Sequence, residues 1–170
     1  MSERGAILKR LIAAYPQRDI SEATALVYIA NLDDVPIRVL DWSVNVLIRT
    51  HKWFPTVQEL RTTCIEIMLG YTEETSFRDF MSAREEVLRD PFIRAVAEIA
   101  GWDTLHQATS EKAVLSWGKA YTHVINQINT GDLNANIRQY CGTAQLDGTG
   151  TGSDRPALPT RGGTGVRRAN

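Results

Sequence analysis

Apolar residues recur along the first 130 positions at the three- and four-residue spacing of helices that bury one face. The clearest stripe consists of Val57, Leu60, Cys64 and Ile67. No segment shows the two-residue alternation, bounded by hairpin turns, that indicates strands. The pattern therefore predicts an all-α fold, a compact helical domain of about seven helices joined by short loops.

Local signals mark where several of these helices begin. Thr56, with Glu59 three residues later, has the form of a capping box, in which each residue binds the backbone N–H of the other. Asp90 followed by Pro91 is a cap with proline at the first helical position. The predicted helices start near Ser2, Ser21, Pro36, Val57, Ser76, Pro91 and Ser110.

The apolar stripes also predict which side chains point inward. In the second helix, which we expect to end near Asn31, Leu26, Val27 and Ile29 should be buried. In the last long helix, Val114 should begin the buried stripe. The fifth helix is expected to run without a break from about residue 76 to 89.

The composition changes at about Gly142, where Gly, Thr, Ser, Pro and Arg begin to dominate. A segment with so little to bury cannot offset its ordering entropy, so we expect a disordered tail over residues 142–170. Residues 1–70 form an N-terminal helical unit in this division, and residues 71–141 add helices that we expect to pack on it. The tail's basic side chains either keep the domain soluble or dock a partner; they are Arg155, Arg161, Arg167 and Arg168.

Charge and cysteine content narrow the function. Lys and Arg number 19 against 20 Asp and Glu, which argues against strong non-specific nucleic-acid binding but leaves a local patch open. Cys64 and Cys141 are too few and too far apart for a disulfide framework or a zinc site. No apolar run approaches the roughly 20 residues that span a bilayer, and no signal-peptide pattern is present. We therefore expect a cytoplasmic protein with no membrane partner.

Motifs for catalysis are missing from the sequence. The Gly118-Lys119 pair is followed by alanine within a predicted helix, not by the Ser or Thr of a phosphate-binding loop. His51, His106 and His123 are scattered, and none has the spacing of paired metal ligands. We expect a non-enzymatic protein without catalytic residues, bound cofactor or metal.

A candidate DNA contact surrounds the loop before the fourth helix. Arg49, Lys52 and Arg61 flank this loop, its helix start could hold a phosphate, and Trp53 could stack on a base. The more common use of Trp53 and Phe54 would be to fill the core. The sequence alone leaves both readings open.

Residues 6–68 resemble a known family. Ala-Ala-Tyr-Pro at 13–16, two further helices, and Trp-Phe-Pro-Thr-Val-Gln-Glu-Leu at 53–60 resemble the N-terminal domain of the ATPase-lacking helicase loaders and inhibitors of Gram-positive siphophages. The segments 90–102 and 117–121 are more loosely similar to the downstream half of related phage replication proteins. This chain differs by carrying extra helices, roughly 75–130, before its tail.

The resemblance implies a phage DNA-replication protein that binds the hexameric replicative helicase, restrains it, and loads it onto DNA in the host-cell cytoplasm. In the family a mobile C-terminal arm engages the helicase. We therefore take Trp102, which follows the predicted stop at Gly101, and the four tail arginines as candidate partner-binding residues. Single-stranded DNA and an origin-binding replication protein are further candidate partners.

Two other functional classes remain open. A DNA-binding replication or regulatory protein would use the region from Arg49 to Arg61 and would show a strongly salt-dependent affinity. A phage structural protein, such as a tail-assembly chaperone, would instead co-purify with virion components and bind neither helicase nor DNA.

Overall fold

The computed structural model describes residues 2–82, 85–107 and 109–141. Within those ranges it has no strand, so the prediction of an all-α fold is confirmed. The predicted tail, residues 142–170, lies outside the described residues. The helices are α1 (Glu3–Ala13), α2 (Glu22–Asn31), α3 (Ile37–Thr50), α4 (Val57–Leu69), α5 (Glu73–Met81), α6 (Glu85–Leu88), α7 (Pro91–Ala100), α8 (Trp102–Gln107), α9 (Ser110–Asn129) and α10 (Leu133–Ile137).

The predicted helix boundaries around α4 and α7 are confirmed. The Thr56 hydroxyl accepts a hydrogen bond from the Glu59 N–H, and the Glu59 carboxylate accepts one from the Thr56 N–H at 2.7 Å. Gly70 ends α4 with a φ of 74°, which glycine adopts without a steric penalty. At α7 the Asp90 carboxylate accepts from two backbone N–H groups of the first turn.

The region between α4 and α7 differs from the prediction. α5 begins at Glu73, ahead of the predicted Ser76, because Thr72 and Thr75 bind each other's backbone N–H groups in a second capping box. It ends at Met81, and α6 is a separate short helix. The single helix predicted over residues 76–89 is therefore wrong.

The helix α8 was not predicted. Gly101, with a φ of 85°, ends α7, and Trp102 begins the next helix at once. No Ser, Thr, Asp or Asn precedes Trp102 as a capping residue, so the sequence pattern predicts a loop for this segment.

The helix α9 lies at the centre of the packing and contacts α4, α5, α7, α8 and α10. Trp117 on α9 is fully buried; its indole Nε1 donates to the Ser76 Oγ at 3.0 Å, and its ring lies 4.9 Å from that of Phe80. Val114 is 47% exposed, so the prediction that it begins the buried stripe is wrong; Ala113 takes the inward position at that level. Residues from both 1–70 and 71–141 contribute to one continuous core.

An ion pair joins the turn after α2 to α4. The Arg61 guanidinium donates to both carboxylate oxygens of Asp34, at 2.7 and 2.9 Å, and its side chain is only 11% exposed. It also donates to the Asn31 carbonyl at the end of α2 and to the Asn129 side chain at the end of α9. Asp34 in turn accepts from the Leu133 N–H at the start of α10. One charged pair thus fixes four elements relative to each other.

The environment of Asp34 favours its charged form. Burial raises the pKa of Asp34. The hydrogen bonds from Arg61 and Leu133, together with the Arg61 charge, lower it by more than burial raises it, so the pKa of Asp34 is below its ordinary value. The pair therefore adds stability that is fully present above the ordinary carboxyl pKa of about 4 and is lost as the pH falls through the lowered value.

We predict that Asp34→Asn lowers the free energy of unfolding by about 1.5–3 kcal/mol at pH 7, because it removes a charge-assisted hydrogen bond from the poorly exposed Arg61 and leaves that cation without its counter-charge. The matched control is Asp33→Asn, whose side chain is 84% exposed and should contribute less than about 1 kcal/mol. Urea denaturation of both variants from pH 7 to pH 3 measures the difference. Equal effects of the two substitutions, or a difference that does not shrink below pH 4, would contradict this role for Asp34.

Candidate functional site

The helix α2 is apolar on nearly every side, yet it has no buried residue. A helix of that composition is normally enclosed by the rest of the protein. Leu26 is 60% exposed and Val27 is 54% exposed, so the prediction that both are buried is wrong. Only the opposite side of α2 is partly covered, where Ile29 packs against the core.

The exposed side of α2 forms a single stripe, which we call the α2 face. Its members are Ala23, Leu26, Val27 and Ala30, whose spacing of three, one and three residues places them on one side of the helix. No charged residue interrupts the stripe. An exposed apolar surface of this kind marks an interaction site, because scattered single apolar residues do not align.

Contacts with the α3–α4 loop hold α2 in this orientation. The Tyr28 hydroxyl donates to the Pro55 carbonyl at 2.8 Å, and its ring lies 5.5 Å from that of Phe54. Burial raises the pKa of Tyr28, so the phenol stays protonated and remains a donor at neutral pH. With Tyr28 turned toward the loop, the α2 face must point away from the core.

A polar groove of about 710 Å³ borders the α2 face. Ala30 belongs to both, and Gln58, Arg61 and Asn129 line the opposite wall. The Asn129 amide donates to the Gln58 side-chain oxygen at 3.0 Å, which orders that wall. An apolar centre beside a polar rim is the usual composition of a protein-binding surface.

A second surface lies on the loop between α3 and α4, which holds one aromatic ring inside and one outside. Phe54 is buried and meets the Tyr15 ring edge-on at 5.8 Å. Trp53 is 66% exposed, so the alternative in which both rings fill the core is wrong for Trp53. The Lys52 Nζ lies 5.2 Å from the centroid of the Trp53 indole ring. We call Gln17, Arg18, Lys52 and Trp53 the Trp53 surface, because Gln17 and Arg18 line a cavity with Trp53.

The structure separates the four candidate DNA-contact residues. Arg49, Lys52 and Trp53 are exposed near the end of α3. Arg61 is instead committed to Asp34 and to neighbouring carbonyl oxygens, so its guanidinium serves the fold and we remove it from the candidate surface. Sequence reasoning missed this role because its partner is 27 residues away.

A carboxylate of this chain already lies at the start of α4. The Glu59 carboxylate accepts hydrogen bonds from both the N–H and the hydroxyl of Thr56. These bonds lower the pKa of Glu59 by more than burial raises it, so the carboxylate remains charged. The backbone hydrogen bond is the largest cause of that shift. An anion already occupies the helix start, which argues against the phosphate site considered for it.

Trp102, the candidate anchor of the second half, is about one-third exposed. Its ring stacks on that of His106 and lies 5.7 Å from Phe80, so it is partly held by α5 and α8. The other candidate partner-binding residues lie outside the described part of the chain; they are Arg155, Arg161, Arg167 and Arg168.

The described residues show no metal site, no reactive Cys64 thiol and no membrane-spanning helix. Among the described residues, no group of three or more His, Cys, Asp or Glu side chains could hold a metal ion. Burial raises the pKa of Cys64 to about 11, so that thiol is not a nucleophile at neutral pH. No helix in the described part of the chain combines the length and apolar content that crossing a bilayer requires.

Comparison with known proteins returned no matching family model, no matching curated protein and no matching solved structure.

We predict that Trp53→Ala changes the free energy of unfolding by less than about 0.5 kcal/mol, because the ring contributes little to the core. Phe54→Ala, one residue away, should cost about 3–5 kcal/mol, because it empties a buried aromatic site. Chemical denaturation followed by far-ultraviolet circular dichroism checks both values. A Trp53 variant as destabilised as the Phe54 variant would show that the indole is buried in solution.

Proposed function

We propose that this chain is a non-enzymatic DNA-replication protein of a phage, which binds the hexameric replicative helicase, restrains it and loads it onto DNA. The observation that carries the proposal is the unpartnered α2 face, since an apolar stripe in this position calls for a protein partner. The choice of the helicase as that partner rests on the resemblance of residues 6–68 to helicase loaders.

The α2 face has the spacing of apolar anchors with which a helix binds a partner groove. Leu26 and Val27 stand at its centre as aliphatic anchors, and alanines flank them on either side, which lets a partner helix or groove approach closely. Contacts behind α2, from Tyr28 to Pro55 and from Arg61 to Asn31, hold the face in place before binding. Such preorganisation reduces the entropy that a partner must remove.

The tail supplies a second, electrostatic contact in this proposal. Its arginines would add a weak attachment beside the α2 face, and two linked contacts raise the apparent affinity through effective concentration. The contact at the helices then determines specificity, and the tail adds strength that falls with salt.

We predict that Leu26→Gln weakens a complex with the replicative helicase of the same phage or host by about 10- to 150-fold, because full burial of a leucine side chain contributes about 1.5–3 kcal/mol. Leu115→Gln is the matched control, because Leu115 on α9 is 59% exposed against 60% for Leu26, and it should leave the affinity unchanged. Gel filtration with light scattering measures the complex for each variant of the full chain, with and without ATP.

The tail truncation and the oligomeric state of the free chain separate the possible results. A chain lacking residues 142–170 should still bind, more weakly, and remain sensitive to Leu26→Gln. Absence of a complex at about 10 µM, a concentration that detects weak specific binding, would contradict the loader proposal. If the chain instead forms a dimer by itself that Leu26→Gln dissociates, the α2 face belongs to a second copy of this protein.

A further inference from the structure

The Trp53 surface is separate from the α2 face and has no role in the proposed helicase contact. Trp53 is the most exposed of the large apolar side chains in the described residues. An indole ring left in solvent is an unusual arrangement, because Trp normally contributes most of its area to a core or an interface. The exposed ring therefore calls for a ligand with its own planar or apolar face.

The charges beside this ring are positive and unpaired. Five described arginines have an acidic partner; these are Arg4, Arg10, Arg61, Arg78 and Arg94. Arg18 and Lys52 are exposed, and neither forms an ion pair with a described residue. Arg49, in the last turn of α3, adds a third cation to the same end of that helix. This is the charge that an anionic ligand requires.

A cavity of about 320 Å³ lies beside the indole ring. Tyr15, Phe54 and Trp53 give it aromatic walls, and Gln17 and Arg18 give it polar ones. Its volume is at the lower end of ligand pockets, so it suits one ring system and not a larger molecule. The combination of a flat aromatic wall, an amide and a guanidinium matches a nucleobase with its phosphate.

We propose that the Trp53 surface binds single-stranded nucleic acid. One base enters the cavity and stacks on Trp53, Arg18 and Lys52 contact the flanking phosphates, and the Gln17 amide binds the edge of the base. A duplex hides the faces of its bases, so the surface selects single strands. The start of α4 takes no part, because the charged Glu59 carboxylate that lies there repels a phosphate.

Fluorescence anisotropy of a labelled oligothymidylate with the full-length chain tests this proposal. Trp53→Ala should weaken binding about 5- to 150-fold, the range for loss of one base–aromatic stack, and Trp53→Phe should restore most of the affinity. Leu115→Ala is the matched control, because it removes another large apolar side chain, 59% exposed on α9, and should have no effect. An unchanged affinity after Trp53→Ala would overturn the proposal. That result would be obtained, for example, if the tail arginines alone bound the strand.

The salt dependence tests the cations separately. If two phosphates are neutralised, the plot of log affinity against log salt should have a slope of about −1.4, and Lys52→Gln should make it shallower by about 0.7. Lys112→Gln, at an exposed position of α9, should leave the slope unchanged. Equal affinities for duplex and single-stranded DNA would overturn base stacking as the mode of binding. Equal changes of the salt slope in the Lys52 and Lys112 variants would overturn the assignment of the phosphate contacts to the Trp53 surface.

Two further measurements compare RNA with DNA and separate strand binding from the proposed helicase contact. An RNA of the same sequence should bind with similar affinity, because stacking and phosphate contacts do not read the 2′-hydroxyl. Leu26→Gln, which is designed to break the helicase complex, should leave strand binding intact. Loss of both activities in Leu26→Gln would overturn the separation of the two surfaces.

Discussion

The ion pair between Arg61 and Asp34 is the contact on which the arrangement of α2, α4, α9 and α10 depends. Arg61 reaches from α4 to the end of α2 through the Asn31 carbonyl and to the end of α9 through Asn129. Asp34 holds the first backbone N–H of α10. Because a poorly exposed charge must keep its partner, these elements can shift only together. This contact therefore fixes the end of α2, and the bond from Tyr28 to Pro55 sets which side of the helix faces outward.

The two candidate surfaces are linked through Tyr28. Its ring and hydroxyl bind the α2 helix to Phe54 and Pro55, in the loop that carries Trp53 outward. The α2 face is apolar and suits a protein, whereas the Trp53 surface is aromatic and cationic and suits a nucleic-acid strand. A protein that places a helicase on a single strand would use both surfaces at once, and their attachment to the same loop would keep the two ligands at a fixed separation.

The local parts of the fold could be predicted from the sequence, and the long-range parts could not. The capping box of Thr56 and Glu59 depends on residues three apart, so its helix start was predictable. In α2 nearly every side is apolar, so the pattern does not indicate which side the core will cover. Similarly, Trp53 and Phe54 are neighbours, and only the distant Tyr15 and Tyr28 rings decide that Phe54 is the one inside.

Hydrogen–deuterium exchange of the full chain, with and without the replicative helicase, tests the central claim most directly. In the free protein α2 should exchange faster than the buried α9, because few contacts cover it. If the helicase binds the α2 face, exchange should slow over residues 22–31 and stay unchanged over α7 and α8. Slowing confined to α7, α8 or α9, with α2 unaffected, would contradict the claim that the α2 face is the binding site.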